Sequence, residues 1–487
     1  MDRQNLTLLT DLYELTMMQG YFKNKEHNET VIFDAFYRSN PCGGGYAIAA
    51  GLEQVIQYIR ELHFSTEDID YLASLGIFEA DFLEYLRNFK FSGDIYAIPE
   101  GTVMFPREPM VKVIAPIMEA QLVETAILNI INHQSLIATK AARVCYAAKG
   151  DGVMEFGLRR AQGPDAGIYG ARAAMIGGCV GTSNVLAGEL FQVPVKGTHA
   201  HSWIMSFPDE YTAFKAYANM YPSACTLLVD TYDTLKSGVP NAIRVFTEMR
   251  TAGIPLTNYG IRLDSGDLAY LSKKARRMLD DAGFTDAVIS ASNDLDEYII
   301  DSLKVQGAAI TSWGVGTSLI TAKDNPAFGG VYKLAAIQDE NGCFIPKIKL
   351  SENTEKVTNP GDKIIYRIYE KDDKGLDKIK ADLICMADEV FDSSEDLLLF
   401  DPAEPWKKTK LKGNSYSMRP IMQQIFQKGE CIYTSPSVMD IRAYCQKELD
   451  TLWEETKRLV NPHKVYVDLS KKLYDIKITL LDQMSEK

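Results

Sequence analysis

At 487 residues the chain exceeds what one ordinary hydrophobic core supports, so two or three domains are expected. Its 46% hydrophobic and 24% charged residues are those of a globular protein, and a net charge of −13 argues against nucleic acid as the main partner. The eight cysteines stand far apart with no C-x-x-C pair, the first residues lack a secretory pattern, and no long uncharged apolar span occurs; free thiols, no membrane partner and a cytoplasmic location are expected.

Taken in order, Thr10 is placed to cap a short helix with Leu12, Leu15 and Met18–Tyr21 on its apolar face, and Tyr13 points away from much of that face. Val31–Tyr37 alternates like a strand and ends at Arg38-Ser39-Asn40-Pro41. Gly43-Gly44-Gly45 then permits either close backbone approach or a flexible turn. Helical patterns at 51–62, 67–74 and 79–89 precede short strands over 94–117 and a long helix over 119–149.

From about 150 the texture changes. Apolar β-rich runs occur at Val153–Phe156, Ala174–Ile176, Phe191–Val195, Cys225–Val229, Tyr259–Leu263, Ala287–Ser290 and Ala309–Trp313. Helical patterns at Pro208–Met220, Pro240–Thr251, Leu268–Ala282 and Asp294–Lys304 lie between most of the later ones. Strand–helix alternation with uninterrupted apolar strands implies a parallel sheet covered by helices, and seven such units fit an irregular barrel better than an open sheet. After Gly329-Gly330 the alternation stops. Val331–Ile337, Cys343–Leu350, Lys363–Tyr369 and Ala381–Met386 look antiparallel, and the first domain needs strands to complete its sheet. Residues 402–436 read as a linker or small irregular region, and 437–460 and 468–485 as amphipathic helices forming a solvated cap. The resulting division is an N-terminal α+β domain (1–135), an α/β barrel (136–328), strands returning to the first domain (329–400), and a C-terminal linker with a helical extension (401–487).

The residues that follow the proposed strands are the polar ones. They include Glu155-Phe156-Gly157-Leu158-Arg159-Arg160, Gly181-Thr182-Ser183-Asn184, Gly197-Thr198-His199-Ala200-His201, Asp230-Thr231-Tyr232-Asp233, Arg262-Leu263-Asp264-Ser265-Gly266-Asp267, Ser292-Asn293-Asp294 and Gly314-Val315-Gly316-Thr317-Ser318. In a parallel barrel the carboxyl ends of the strands share one face, where active sites are built. Two of the six histidines fall within three residues of that set. Gly314-x-Gly316-Thr317 resembles an anion cradle. Arg159, Arg160 and Arg262 can hold carboxylate or phosphate through bidentate contacts. Asp264 and Asp267 can hold Mg²⁺, bond ribose hydroxyls, or simply complement a helix dipole; Asp230 and Asp233 lean further toward that last role. A metal hydrolase built on His199-x-His201 would need further histidines from later strands, and only His463 follows. A non-enzymatic binding module leaves the histidines among phosphate-type loops unexplained.

Thr10-Asp11-Leu12-Tyr13, Phe33-x-x-Phe36-x-Arg38-x-Asn40-Pro41, Glu155-Phe156-Gly157-x-Arg159-Arg160, Gly197-Thr198-x-Ala200-His201, Ile261-Arg262-Leu263-Asp264-Ser265-Gly266-Asp267 and Gly314-x-Gly316-Thr317, taken together, resemble nicotinate phosphoribosyltransferase. The likeness runs in order across most of the chain and includes Lys349-x-Ser351, Pro360-Gly361-x-Lys363 and Asn461-Pro462-His463.

The resemblance implies an irregular α/β barrel of the type II phosphoribosyltransferase kind, with an N-terminal domain completed by later strands. It also implies ATP-coupled transfer of phosphoribosyl from phosphoribosyl pyrophosphate to nicotinate, and so an entry to NAD synthesis. By motif, His201 is the histidine transiently phosphorylated by ATP, and His199 fills a variable position; Asp264 is counted with His201 among the candidate catalytic residues. Tyr13, Thr198 and Arg262 match nicotinate-binding positions, Phe156 stacks opposite Tyr13 with Arg159 nearby, and Gly314, Gly316 and Thr317 match phosphate contacts. Mg²⁺ is implied, with ligands that the sequence does not identify. A homodimer with shared sites is implied as well, because the helix bearing Tyr13 completes a neighbouring subunit's site. The competing reading is the nicotinamide enzyme of the same fold, which carries Asp where this chain has Ser183. A carboxylate there would accept a bond from an amide and repel an acid, so Ser183 favours nicotinate.

Overall fold

A computed structural model describes residues 5–24, 29–349 and 357–485. The chain divides into two compact units, one comprising Met1–Leu136 with Ala327–Lys487 and the other Ile137–Pro326. Ser351, within one of the family-like stretches, lies outside the described residues. No helix among the described residues is long and apolar enough to cross a membrane. Among the described residues no disulfide joins any of the eight cysteines.

The Ile137–Pro326 unit is built on six strands, every neighbouring pair parallel. Their order is Gly181–Thr182, Gly152–Glu155, Ser312–Val315, Val288–Ala291, Tyr259–Leu263 and Cys225–Leu228. The two outermost strands do not pair with each other, so the sheet is an irregular, open version of the expected α/β barrel. Amphipathic helices cover it. In Val239–Thr251 the buried residues are Val239, Ala242, Val245, Phe246 and Met249, one stripe at three- and four-residue spacing. Asp267 caps Leu268–Asp281 by accepting from the Tyr270 amide at 2.9 Å, and Asp296 caps Glu297–Val305 through the Ile299 amide at 2.8 Å.

Three expectations for this unit need correction. Ala174–Ile176 is not a strand but the buried end of the helix Pro164–Ile176; a short apolar run has no period that separates the two. Phe191–Val195 is not a strand either. Phe191 ends the helix Val185–Phe191, and only Val195 bridges to Thr182. His201 lies not in a loop but at the first position of the helix His201–Met205.

The other unit gathers strands from distant parts of the chain. Its antiparallel seven-stranded sheet runs Phe344–Pro346, Gly330–Gln338, Thr30–Tyr37, Val111–Pro116, Asp94–Ala97, Gln423–Gln427, Glu430–Cys431. The region read as a linker therefore supplies two strands to this sheet, together with Lys408–Leu411 and Ser417–Pro420 elsewhere. These strands lack apolar alternation, which is why the sequence hides them. A second sheet runs Ser417–Pro420, Lys363–Lys371, Asp377–Met386, Tyr466–Leu469, the last strand also unforeseen. Arg367 is fully buried there, its Nε and Nη2 donating to the Asp382 carboxylate at 2.9 and 2.6 Å and its Nη1 to Glu448 at 3.1 Å. Thr10 does not cap the N-terminal helix, which spans Leu12–Asn24; among the described residues its hydroxyl has no hydrogen-bond partner. At Gly45 a Cβ would stand 2.3 Å from the Thr456 carbonyl oxygen, so this glycine serves close backbone approach.

Candidate active site

In the parallel sheet, Arg262 pairs in register with Ser290, so residues at the carboxyl ends of both strands and the loops beyond them meet. The Arg262 guanidinium is the hub. Its Nε donates to Ser292 Oγ at 2.7 Å, Nη1 to Thr198 Oγ1 at 2.9 Å and Nη2 to Asp264 Oδ1 at 3.0 Å. Ser292 also donates to Asp264. Burial works against ionisation of Asp264, but the Ser292 hydroxyl and the Arg262 charge outweigh it, so its carboxyl sits below the usual range. Asp230 Oδ2 braces the same loop, accepting from the Asp264 amide at 2.9 Å and the Ser265 hydroxyl at 2.6 Å.

His201 stands beside this cluster. Its Nδ1 is 3.1 Å from Thr231 Oγ1 and its Nε2 is 3.7 Å from Asp264 Oδ2. The side chain remains 40% exposed, open to an incoming group. His199, two residues earlier, is 8% exposed and edge-on to Tyr217 at 4.6 Å. Its Nε2 accepts from the Leu228 amide at 3.4 Å, and burial pushes its pKa down to about 4. One histidine is a buried packing element, and the other keeps a partly exposed ring beside Asp264. Asp267 and Asp233 act as helix caps, Asp233 bonding the Leu235 and Lys236 amides at 3.1 and 2.9 Å.

Phe156 follows the Gly152–Glu155 strand and is held by its amide, which donates to the Val315 carbonyl at 2.8 Å. A Cβ at Gly314 would lie 2.6 Å from the Phe156 ring and 3.5 Å from Ser292 Cβ; at Gly316 it would lie 3.2 Å from the Phe156 carbonyl oxygen. Both glycines thus have a packing reason, and Gly314 links the aromatic ring to the Arg262 cluster through Ser292. Thr317 opens the four-residue helix Thr317–Ile320. Arg159 and Arg160 sit exposed on the turn Leu158–Arg160 and form no ion pair among the described residues. Ser183 is half-buried, its amide donating to the Glu155 carbonyl at 3.0 Å. Tyr13 belongs to the other unit, 47% exposed on the Leu12–Asn24 helix.

The unit thus brings His201, Asp264, Thr198 and Arg262 into direct contact and seats Phe156 against Gly314. Ser292 and Thr231 receive no role from the sequence, and Asp230 is read there mainly as a helix-dipole complement, although all three lie within three residues of a strand end. Glu155, inside a recognised motif, was likewise passed over.

An open parallel barrel with an arginine–carboxylate–histidine cluster at its strand ends defines an enzyme of the α/β-barrel class. The model of the nicotinate phosphoribosyltransferase N-terminal domain matches residues 8–132, that of the nicotinate phosphoribosyltransferase family matches 152–377, and that of the C-terminal domain matches 362–477. The nicotinate phosphoribosyltransferase of Bacillus subtilis (strain 168) is 47% identical over 483 residues, covering 99% of this chain and 96% of that protein. The human nicotinate phosphoribosyltransferase is 33% identical over 524 residues, covering 96% and 95%. A crystal structure of human nicotinic acid phosphoribosyltransferase superposes with a TM-score of 0.83 at 30% identity, covering 97% of this chain and 99% of the other. The chain belongs to the nicotinate phosphoribosyltransferase family, and it is an enzyme.

Proposed function

We propose that the chain transfers the phosphoribosyl group of phosphoribosyl pyrophosphate to the ring nitrogen of nicotinate, yielding nicotinate mononucleotide and pyrophosphate for NAD synthesis. The transfer is coupled to ATP hydrolysis through phosphorylation of His201. One observation carries this reading: Arg262 is held by Thr198, Asp264 and Ser292, with the His201 imidazole against the same aspartate.

In the transfer, the ring nitrogen bonds to C1 of the ribose while the bond to pyrophosphate breaks and pyrophosphate takes the electron pair. The ring becomes a pyridinium, and the Phe156 face favours that growing charge by roughly 0.5–2 kcal/mol when desolvated. Arg262 and Thr198 hold the substrate's acid group, with Arg159 nearby; Gly314, Gly316 and Thr317 present backbone N–H groups and a hydroxyl to phosphate. His201 takes the γ-phosphoryl group of ATP on a ring nitrogen as ADP leaves, and water later removes it as phosphate. Asp264, kept ionised, orients the imidazole. Among the described residues no three His, Cys, Asp or Glu side chains gather as a metal group. Asp264 and Asp230, whose buried Oδ1 has no hydrogen-bond partner among the described residues, would be the residues to hold a magnesium ion. Bound there, it would neutralise the leaving pyrophosphate.

The site is proposed to be completed in a homodimer, Tyr13 of a second copy facing Phe156. Leu9, Leu12, Tyr13 and Met17 leave an exposed apolar face on and before the N-terminal helix, which supports a protein partner there. Free thiols agree with a cytoplasmic location. Nicotinate is favoured over nicotinamide because Ser183 offers no carboxylate to repel the acid.

The test is a turnover assay with nicotinate, nicotinamide and quinolinate, each with and without ATP. Nicotinate should be used best, and faster with ATP. His201→Ala should lose the ATP stimulation and keep slow transfer. If that variant incorporated label from γ-labelled ATP like the parent enzyme, the assignment of His201 would fall.

A further inference from the structure

Glu155 is a fully buried carboxylate that the reaction above does not use, and no cation pairs with it among the described residues. Its oxygens are nevertheless committed. Oε2 accepts from the Thr182 hydroxyl at 2.6 Å and Oε1 from the Gly157 amide. The Thr182 oxygen also accepts from the Asn184 amide at 3.0 Å, and towards an ionised Glu155, which can only accept, its hydroxyl is the donor. The Glu155 carbonyl meanwhile accepts from the Ser183 amide at 3.0 Å. One residue thus ties the loop of Phe156-Gly157 to the loop of Thr182-Ser183-Asn184 by three bonds. Gly157 is needed for this closeness, since a Cβ there would stand 2.9 Å from Glu155 Oε1 and 2.5 Å from Ile320 Cβ.

We infer that Glu155 is a positioning residue for substrate selection: it fixes the distance between the Phe156 ring and the Ser183 side chain, and with it the discrimination between a pyridine acid and a pyridine amide. The inference rests on the reading that these two residues face the pyridine substrate. A buried acceptor bonded to a donor from each loop suits this task, because losing either bond would leave a buried polar group unsatisfied. Burial pushes the Glu155 carboxyl upward, and the Thr182 and Gly157 bonds offset part of that push.

Glu155→Gln places an N–H donor against one of the two existing donors and should open the link. In the full-length enzyme we expect the KM for nicotinate to rise at least tenfold. The KM for phosphoribosyl pyrophosphate should stay within twofold, and the preference for nicotinate over nicotinamide in kcat/KM should fall at least tenfold. Thr182→Val removes the hydroxyl donor and should shift the same ratio in the same direction, whereas Thr182→Ser, which keeps the hydroxyl, should restore it. Two results would overturn the inference in variants of unchanged melting temperature: an unaltered nicotinate KM and selectivity ratio, or equal losses towards every substrate. If Glu155→Gln does not fold, the Thr182 pair decides by the same criteria. Should the parent enzyme itself fail to use nicotinate, the proposed function falls and not this linkage.

Discussion

Two arginines in this chain meet the same kinds of partner and do opposite things. Arg367, in the antiparallel unit, has no exposed surface, and its guanidinium is divided between Asp382 and Glu448, themselves buried. Arg262, in the parallel unit, keeps 18% of its side chain exposed, and its aspartate and the adjacent histidine are more open still. A sealed ion pair can only stabilise or destabilise a fold, because exchanging a partner would leave a naked charge. A rim arginine bonded to two hydroxyls and one carboxylate can trade a hydroxyl for a ligand at small cost. The lesson is that burial, more than residue type, separates scaffold from chemistry here.

The largest effect expected from this contrast is on stability. Arg367→Met strands Asp382 and leaves Glu448 with Arg419 alone, and urea unfolding should show a loss of about 3–5 kcal/mol. Turnover per folded molecule should remain that of the parent enzyme; a matching fall in turnover would break the distinction. Next comes the histidine pair, where the contrast repeats within three residues. The folded pKa of His199, about 4, lies below the usual 6.5. The unfolded chain therefore binds more protons between those values, and stability is fully present above 6.5 and drains away as pH falls towards 4. The total should be on the order of 3 kcal/mol. His199→Gln, which keeps an acceptor for the Leu228 amide without titrating, should flatten that part of the stability curve; an unchanged acid slope would show that another group is responsible.

The smaller expected effects are catalytic. Arg262→Lys keeps a charge but cannot reach Ser292, Thr198 and Asp264 together, so kcat/KM for nicotinate should drop by about 2–3 kcal/mol equivalent, roughly 30–150-fold. Its urea midpoint should barely move, the reverse of the Arg367 result. A stability loss as large as that of Arg367→Met would mean that the rim cluster is scaffold after all.

The parallel unit was the more legible of the two for a physical reason. Its buried strands read as short apolar runs: Tyr259–Leu263 is found with the bounds expected, and the polar residues follow closely after the strands. What stayed hidden there depends on partners and not on pattern. Ser292 matters because strand register carries it beside Arg262, and His199 differs from His201 only through Tyr217 and Leu228, which sit on other elements. Ala174–Ile176 misled because the end of its helix, buried on all sides, has no polar face to show its period. In the antiparallel unit the returning strands Gly330–Gln338 and Lys363–Lys371 were visible by alternation. Gln423–Gln427 was not, because an edge-side strand rich in glutamine takes its place from pairing with Asp94–Ala97, more than three hundred residues earlier.

The finest expected effect concerns a single hydroxyl. Ser183 follows a two-residue strand, and its neighbour Asn184 caps the next helix by accepting from the Ala187 amide at 3.2 Å. The backbone is thus pinned on both sides, and Ser183→Asp should change charge without moving the loop. A carboxylate about 5 Å from the substrate's acid group, at the intermediate screening of a half-buried rim, repels by on the order of 1–2 kcal/mol after solvent has its share. The KM for nicotinate should rise roughly tenfold, while nicotinamide, whose amide can donate to the new acceptor, should be used better than before. Because the repulsion is electrostatic, raising the salt concentration should shrink the nicotinate penalty more than the nicotinamide gain. Equal kinetics for parent and variant towards both substrates would show that residue 183 does not face the substituent that tells acid from amide.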